Sequence, residues 1–240
     1  MTERPRSASL FLEAFVIVSS ILLAFAIDAM WQDHQESRTR SELIDLLIAD
    51  FEVTAARLRE GLVDAQDHVD RNQRFLEIIS NGEPIERDEF GELAFSFVTV
   101  EAFEPALSTY EAAVGRDGLA SIHSVAFSQA MAEFYENRKY FDYHMQVFTD
   151  IYYLGSINDV RRQLGSLGVL LRGETSCSGR SCIFPAELDM NLEELRAFVT
   201  QPEVYSGLES SRIVQLNMFE ALKSMDTATA KILAELKSMR

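Results

Sequence analysis

Apolar positions recur along this chain at helical intervals, and no alternating run is long enough for a sheet. From Leu10 to Ser80 there is no proline and a single glycine, Gly61. Within that stretch Leu58, Leu62, Ala65, Val69, Asn72, Leu76 and Ile79 step by four and three, the spacing of a coiled-coil-like seam. One helical rod of about 105 Å is predicted at 1.5 Å per residue. A bend is expected between Gln32 and Ser41, where polar residues dominate. Asn81-Gly82-Glu83-Pro84 should end the rod, with glycine at the C-terminal cap and proline beyond.

Shorter elements follow. Asp88 to Val98 suits a brief helix. Ser108, Thr109, Tyr110 and Glu111 read as a capping box opening another, and also as a weak candidate binding surface. A second long helix is predicted from Ser121 or Ser124 to Leu164. It carries Phe127, Phe134, Tyr135, Tyr140, Phe141, Phe148, Tyr152 and Tyr153, a series that fits core better than a ligand cage. Asn191 to Glu194 offers another capping box. Pro202 suits the first turn of a last helix reaching Met239, with an apolar face of Ile213, Leu216, Phe219, Leu222 and Leu236. Lys231, Lys237 and Arg240 complement its dipole. The expected fold is all-α, an antiparallel helical bundle.

The start of the rod has a different character. Leu10 to Trp31 is the one membrane-length apolar stretch, bracketed by Glu13 and Asp28 with fourteen uncharged residues, Ala14 to Ile27, between them. The expectation is a cytoplasmic tail over 1–9, a transmembrane helix over 10–31 and an extracytoplasmic bundle over 32–240. That is a single-pass protein of a bacterial inner membrane with its large domain in the periplasm or outside the cell. A signal peptide is the competing reading, with Arg4, Arg6 and the small-x-small site Ala24-Phe25-Ala26. Glu13 inside the stretch, and Ile27, Met30 and Trp31 beyond the cut, favour an anchor. Glu13, Ser20, Ala24, Asp28 and Trp31 are spaced by seven, four, four and three and share one helix face. That face is a candidate helix–helix contact; otherwise the two carboxylates mark the headgroup regions.

The cysteines bear on compartment. Cys177 and Cys182 sit in a Gly- and Pro-flanked loop, close enough to form a disulfide in an oxidising environment. Free cytosolic thiols are the alternative; zinc is disfavoured by only two cysteines and scattered histidines. The net charge of -16 over 240 residues opposes nucleic acid as a partner, since phosphate binding needs a basic patch.

Leu12-Glu-Ala-Phe-Val-Ile-Val-Ser-Ser-Ile-Leu-Leu-Ala-Phe-Ala-Ile-Asp28 followed by Trp31 resembles the opening of a broad family of uncharacterised bacterial single-pass membrane-anchored proteins. Glu13, Ser20, Ala24 and Asp28 match; Trp31 stands one residue late. Phe103 to Glu111, Gly118-Leu119 and Phe134-Tyr135 carry a looser similarity. The resemblance implies an anchor and no particular chemistry.

Catalytic constellations are sparse. Asp64, Asp67 and His68 cluster on the rod, and Glu133 and Glu136 lie near Asp142 and His144, but the Glu-x-x-His step of a di-metal bundle is missing from both. Solvated charge explains these groups better. The expectation is a non-enzymatic, cofactor-free scaffold or accessory subunit. It would contact the lipid bilayer and a protein partner, or a second copy, through the anchor and the bundle. A ligand-sensing bundle is the first rival and a metal enzyme the second.

Overall fold

The computed structural model describes residues 6–150 and 191–240, apart from 98, 101, 116, 117 and 123. Among the described residues every regular element is helical: α1 (Arg6–Asn81), α2 (Arg87–Phe95), α3 (Ser108–Val114), a 3-10 turn (Gly118–Ser121), α4 (Val125–Thr149), α5 (Leu192–Val199) and α6 (Pro202–Ser238). The all-α expectation holds. The expected bend at Gln32–Ser41 does not interrupt α1, whose helical assignment is continuous. The cysteine loop with Cys177 and Cys182, and the expected extension to Leu164, lie outside the described residues.

The transmembrane expectation is corrected. Among the described residues no helix is long and apolar enough to cross a membrane. This overturns the single-pass, inner-membrane and periplasmic placement. The charge spacing gives the physical reason. Glu13 and Asp28 leave fourteen uncharged residues, about 21 Å of helix, against a hydrocarbon core of about 30 Å.

Three long helices make the bundle, and α6 joins the other two. Lys237 pairs with Glu52 at 2.8 Å and Arg240 with Asp45 at 3.1 Å, while Gln215 meets Asn72. Rising numbers on α6 therefore meet falling numbers on α1. The same holds against α4, where Ser124 bonds Glu235 and Lys231 reaches Glu133 at 2.5 Å. So α6 is antiparallel to both α1 and α4, and those two run parallel. A parallel pair needs a long crossover, and α2 and α3 lie within it.

The core of α6 is a heptad seam. Val204, Leu208, Ser211, Gln215, Met218, Leu222, Met225, Thr229, Ile232 and Leu236 step by four and three, and all are buried. Of the face expected from the sequence, Leu222 and Leu236 lie on this seam, whereas Ile213 is exposed and Leu216 and Phe219 only flank it. Ser211, Gln215 and Thr229 occupy seam positions where a hydrophobic count finds none. On α4, Phe127, Phe134, Phe141 and Phe148 recur every seventh residue, all buried. Phe134 meets Phe51 of α1 edge to face, with centroids 6.1 Å apart.

The helix ends follow local rules. Gly82, with φ of 68°, closes α1, and Glu83 N–H returns to Ile78 O at 3.0 Å. Ser124 caps α4 by accepting from Phe127 N–H at 3.1 Å. Asn191 and Glu194 form the expected reciprocal capping box of α5. Pro202 opens α6 as expected.

Candidate functional site

Two features stand apart from ordinary core and surface. The first is the start of α1. Buried residues begin at Ile44, and the described positions from Phe15 to Thr39 are exposed. Nine large apolar side chains there, Phe15, Val18, Ile21, Leu22, Leu23, Phe25, Ile27, Met30 and Trp31, are at least half exposed. At 100° per residue they spread over about 280° of the helix circumference. Ala24 and Asp28 fill the remaining stripe, with Trp31 at its edge and Ser20 just beyond it. The predicted contact face is thus the polar seam of an otherwise apolar arm. All four residues are exposed; the side chain of Glu13 lies outside the described residues.

The second feature is a cavity of about 350 Å³ inside the bundle. It arises from the inward seam of α1: Ile44, Leu47, Phe51, Thr54, Leu58, Gly61, Ala65, His68, Asn72, Phe75 and Ile79, again spaced by three and four. The seam is packed at both ends, but Gly61, Ala65 and His68 are only half-buried. These central positions carry no large apolar side chain, so the core has a gap there. Met218 and Leu222 of α6, Phe141 of α4 and Val100 and Phe103 of the crossover complete its apolar walls. Phe103 and Phe141 meet edge to face at 6.3 Å. Arg57, Glu60 and Glu104, all exposed, stand at the rim.

Gly61 needs explanation on its own. A glycine inside a helix costs about 1 kcal/mol relative to alanine. Close packing usually explains such a residue, yet nothing lies within 4 Å of the position its Cβ would take. The protein's own packing therefore does not require glycine here.

A polar network fastens the crossover under the cavity. Asn72 donates to Gln215 Oε1 and accepts from the Ser96 hydroxyl. Gln215 Nε2 donates to the Ser96 and Thr99 carbonyls at 2.9 and 3.1 Å, and Ser211 Oγ donates to Phe97 O at 3.0 Å. On the other side, Thr54 both donates to Ala106 O and accepts its N–H, at 3.2 and 3.0 Å. Arg57 Nη1 donates to Glu104 O at 2.9 Å. These bonds hold Ser96, Phe97, Thr99, Glu104 and Ala106 against α1 and α6 and so fix the cavity's third wall.

The Ser108–Glu111 surface is built differently from expectation. Ser108 begins α3 rather than capping it; the residue before, Leu107, supplies no side-chain bond. Asp50 of α1 does the capping from outside, accepting the Thr109 N–H at 2.9 Å. Tyr110 leans on Tyr135 with centroids 5.7 Å apart, beside a smaller cleft of about 220 Å³. Burial pushes both phenols up, and for Tyr135 the neighbouring Tyr110 and Glu111 add to it against Arg138.

The acidic and histidine clusters do not assemble. Asp67 pairs with Arg71 at 2.7 Å and Glu133 with Lys231. Glu136 and Asp142 are exposed. His68 lines the cavity, which Asp64 and Asp67 do not. Among the described residues no three His, Cys, Asp or Glu side chains are placed to hold a metal ion. His144 is 8% exposed, between Tyr140 and Tyr143 at 4.4 and 5.1 Å, and its Nδ1 has no hydrogen-bond partner. Burial lowers its pKa. The cavity is not legible in the sequence, because its signal is a glycine, an alanine and a histidine on a seam whose register only the packed helices reveal. No protein-family model, curated protein or solved structure matches this chain.

Proposed function

We propose that this chain is a non-catalytic interaction protein, a scaffold or accessory subunit whose α1 arm docks into an apolar, helix-accepting groove of a partner protein. The carrying observation is the run of nine exposed apolar side chains from Phe15 to Trp31. Contiguous apolar surface on this scale marks an interaction site. Its spread around most of the helix argues for insertion between elements rather than docking on a flat face. The bundle, whose core begins at Ile44, supplies a folded base for the arm.

The test is site-specific photo-cross-linking of the full chain in the cells that make it, from Leu22 and from Phe25. Both positions should give one discrete protein adduct, and Leu22→Asp with Phe25→Asp should abolish it while the bundle stays folded. Cross-linking to no protein from either position would sink the proposal.

A further inference from the structure

We infer that the cavity between α1, α4, α6 and the crossover is a binding site for a small organic cation, an amine carried on an apolar or aromatic body. The inference is independent of the arm. A volume of about 350 Å³ lies within the range of small-molecule sites. Its lining mixes the apolar side chains with Arg57, Glu60, His68, Glu104 and Gln215.

Gly61 carries the argument that the space is meant to be occupied. It sits in the wall, it weakens the helix, and no protein atom lies near its missing Cβ. A glycine there leaves the helix backbone open to close approach by a molecule other than the protein. Asn72 and Gln215 do not compete for that role, because their amides are committed to each other and to Ser96 and Thr99.

The rim sets the charge. Two carboxylates, Glu60 and Glu104, and one guanidinium stand at the rim with His68 in the wall, and Arg57 already donates to the Glu104 carbonyl. The chain's net charge of -16 draws cations and repels anions over longer range. Inside, Phe103 and Phe141 present ring surface, which attracts a cation as readily as it packs an apolar body.

The test titrates the full chain with three probes of matched shape, 2-phenylethylamine, 2-phenylethanol and 3-phenylpropionate, followed by ligand-observed NMR and calorimetry. The amine should bind saturably and at least tenfold more tightly than the carboxylate, with the alcohol between. Glu60→Gln should weaken the amine severalfold and leave the alcohol unchanged. Gly61→Leu should abolish binding of both, and Ala65→Leu repeats the blockade from one turn along. Circular dichroism melts confirm that each variant is folded. Saturable binding of the carboxylate at equal strength would overturn the charge assignment. Absence of saturable amine binding, or amine binding unchanged in the folded Gly61→Leu and Ala65→Leu variants, would overturn the site.

Discussion

Asn72 of α1 and Gln215 of α6 are hydrogen-bonded across the bundle core although 143 positions separate them. Both are buried, and between them they bind the Ser96 hydroxyl and two carbonyls of the crossover. A buried amide is stabilising only when its partners are in place, so this pair fixes one register of α1 against α6. A slip by one turn on either helix would leave polar groups unmatched in an apolar seam.

Replacing Asn72 by alanine should therefore destabilise the protein by about 1–3 kcal/mol, since Gln215 Oε1 loses its donor in the core. Urea unfolding measures this. The double variant Asn72→Ala, Gln215→Ala should cost clearly less than the two single costs combined. Strict additivity would show that the two amides act separately.

Asp50 caps α3 from another helix, so its removal should do more than fray one turn. Asp50→Ala should cost about 1 kcal/mol and Asp50→Asn less, because the amide oxygen still accepts the Thr109 N–H. Hydrogen exchange should speed up at Thr109 first. Unchanged protection there would mean that Asp50 does not cap α3.

Gly61→Ala should stabilise the chain by about 0.5–1 kcal/mol, an unusual direction for a change in a bundle interior. The open space around the new methyl group is the reason. A thermal melt lower than that of the unchanged protein would contradict the geometry of the cavity wall.

His144 makes stability fall with acid. Burial holds its folded pKa below the unfolded value of 6.5, so the unfolded chain binds the proton first as pH drops. The stability associated with neutral His144 is complete above 6.5 and declines as the pH falls toward the lowered folded value. In His144→Phe the dependence of unfolding free energy on pH between 7 and 5 should be shallower. Parallel curves for the two proteins would remove His144 from the account.

Local chemistry was legible in the sequence and long-range register was not. Ser124, Pro202, Gly82 and the Asn191–Glu194 box could be read directly, since each acts on a backbone within a few residues. The α3 cap could not, because its donor and acceptor come from helices 59 positions apart. The inner face of α6 was misread for a related reason. Buried Ser211, Gln215 and Thr229 look polar in isolation, while exposed Ile213 looks like core. Gln215 and Ser211 make sense only beside Asn72 and the Phe97 carbonyl, while Thr229 returns its hydroxyl to Met225 O of its own helix. On α1, similarly, Leu62 and Val69 drew attention from Gly61 and His68, the residues that line the cavity.

The bridging position of α6 has a consequence for synthesis. The long helices α1 and α4 each pack mainly against α6, which is made after both of them. At 5–20 residues per second, the stretch from Asn81 to Ser238 takes roughly 10–30 s to make. Throughout that interval the apolar stripe of α1 has no complete partner, and the nascent chain depends on chaperones or on its acidic charge to stay dispersed. A chain halted before Pro202 should remain open to protease along α1, whereas one extending through Ser238 should be protected there.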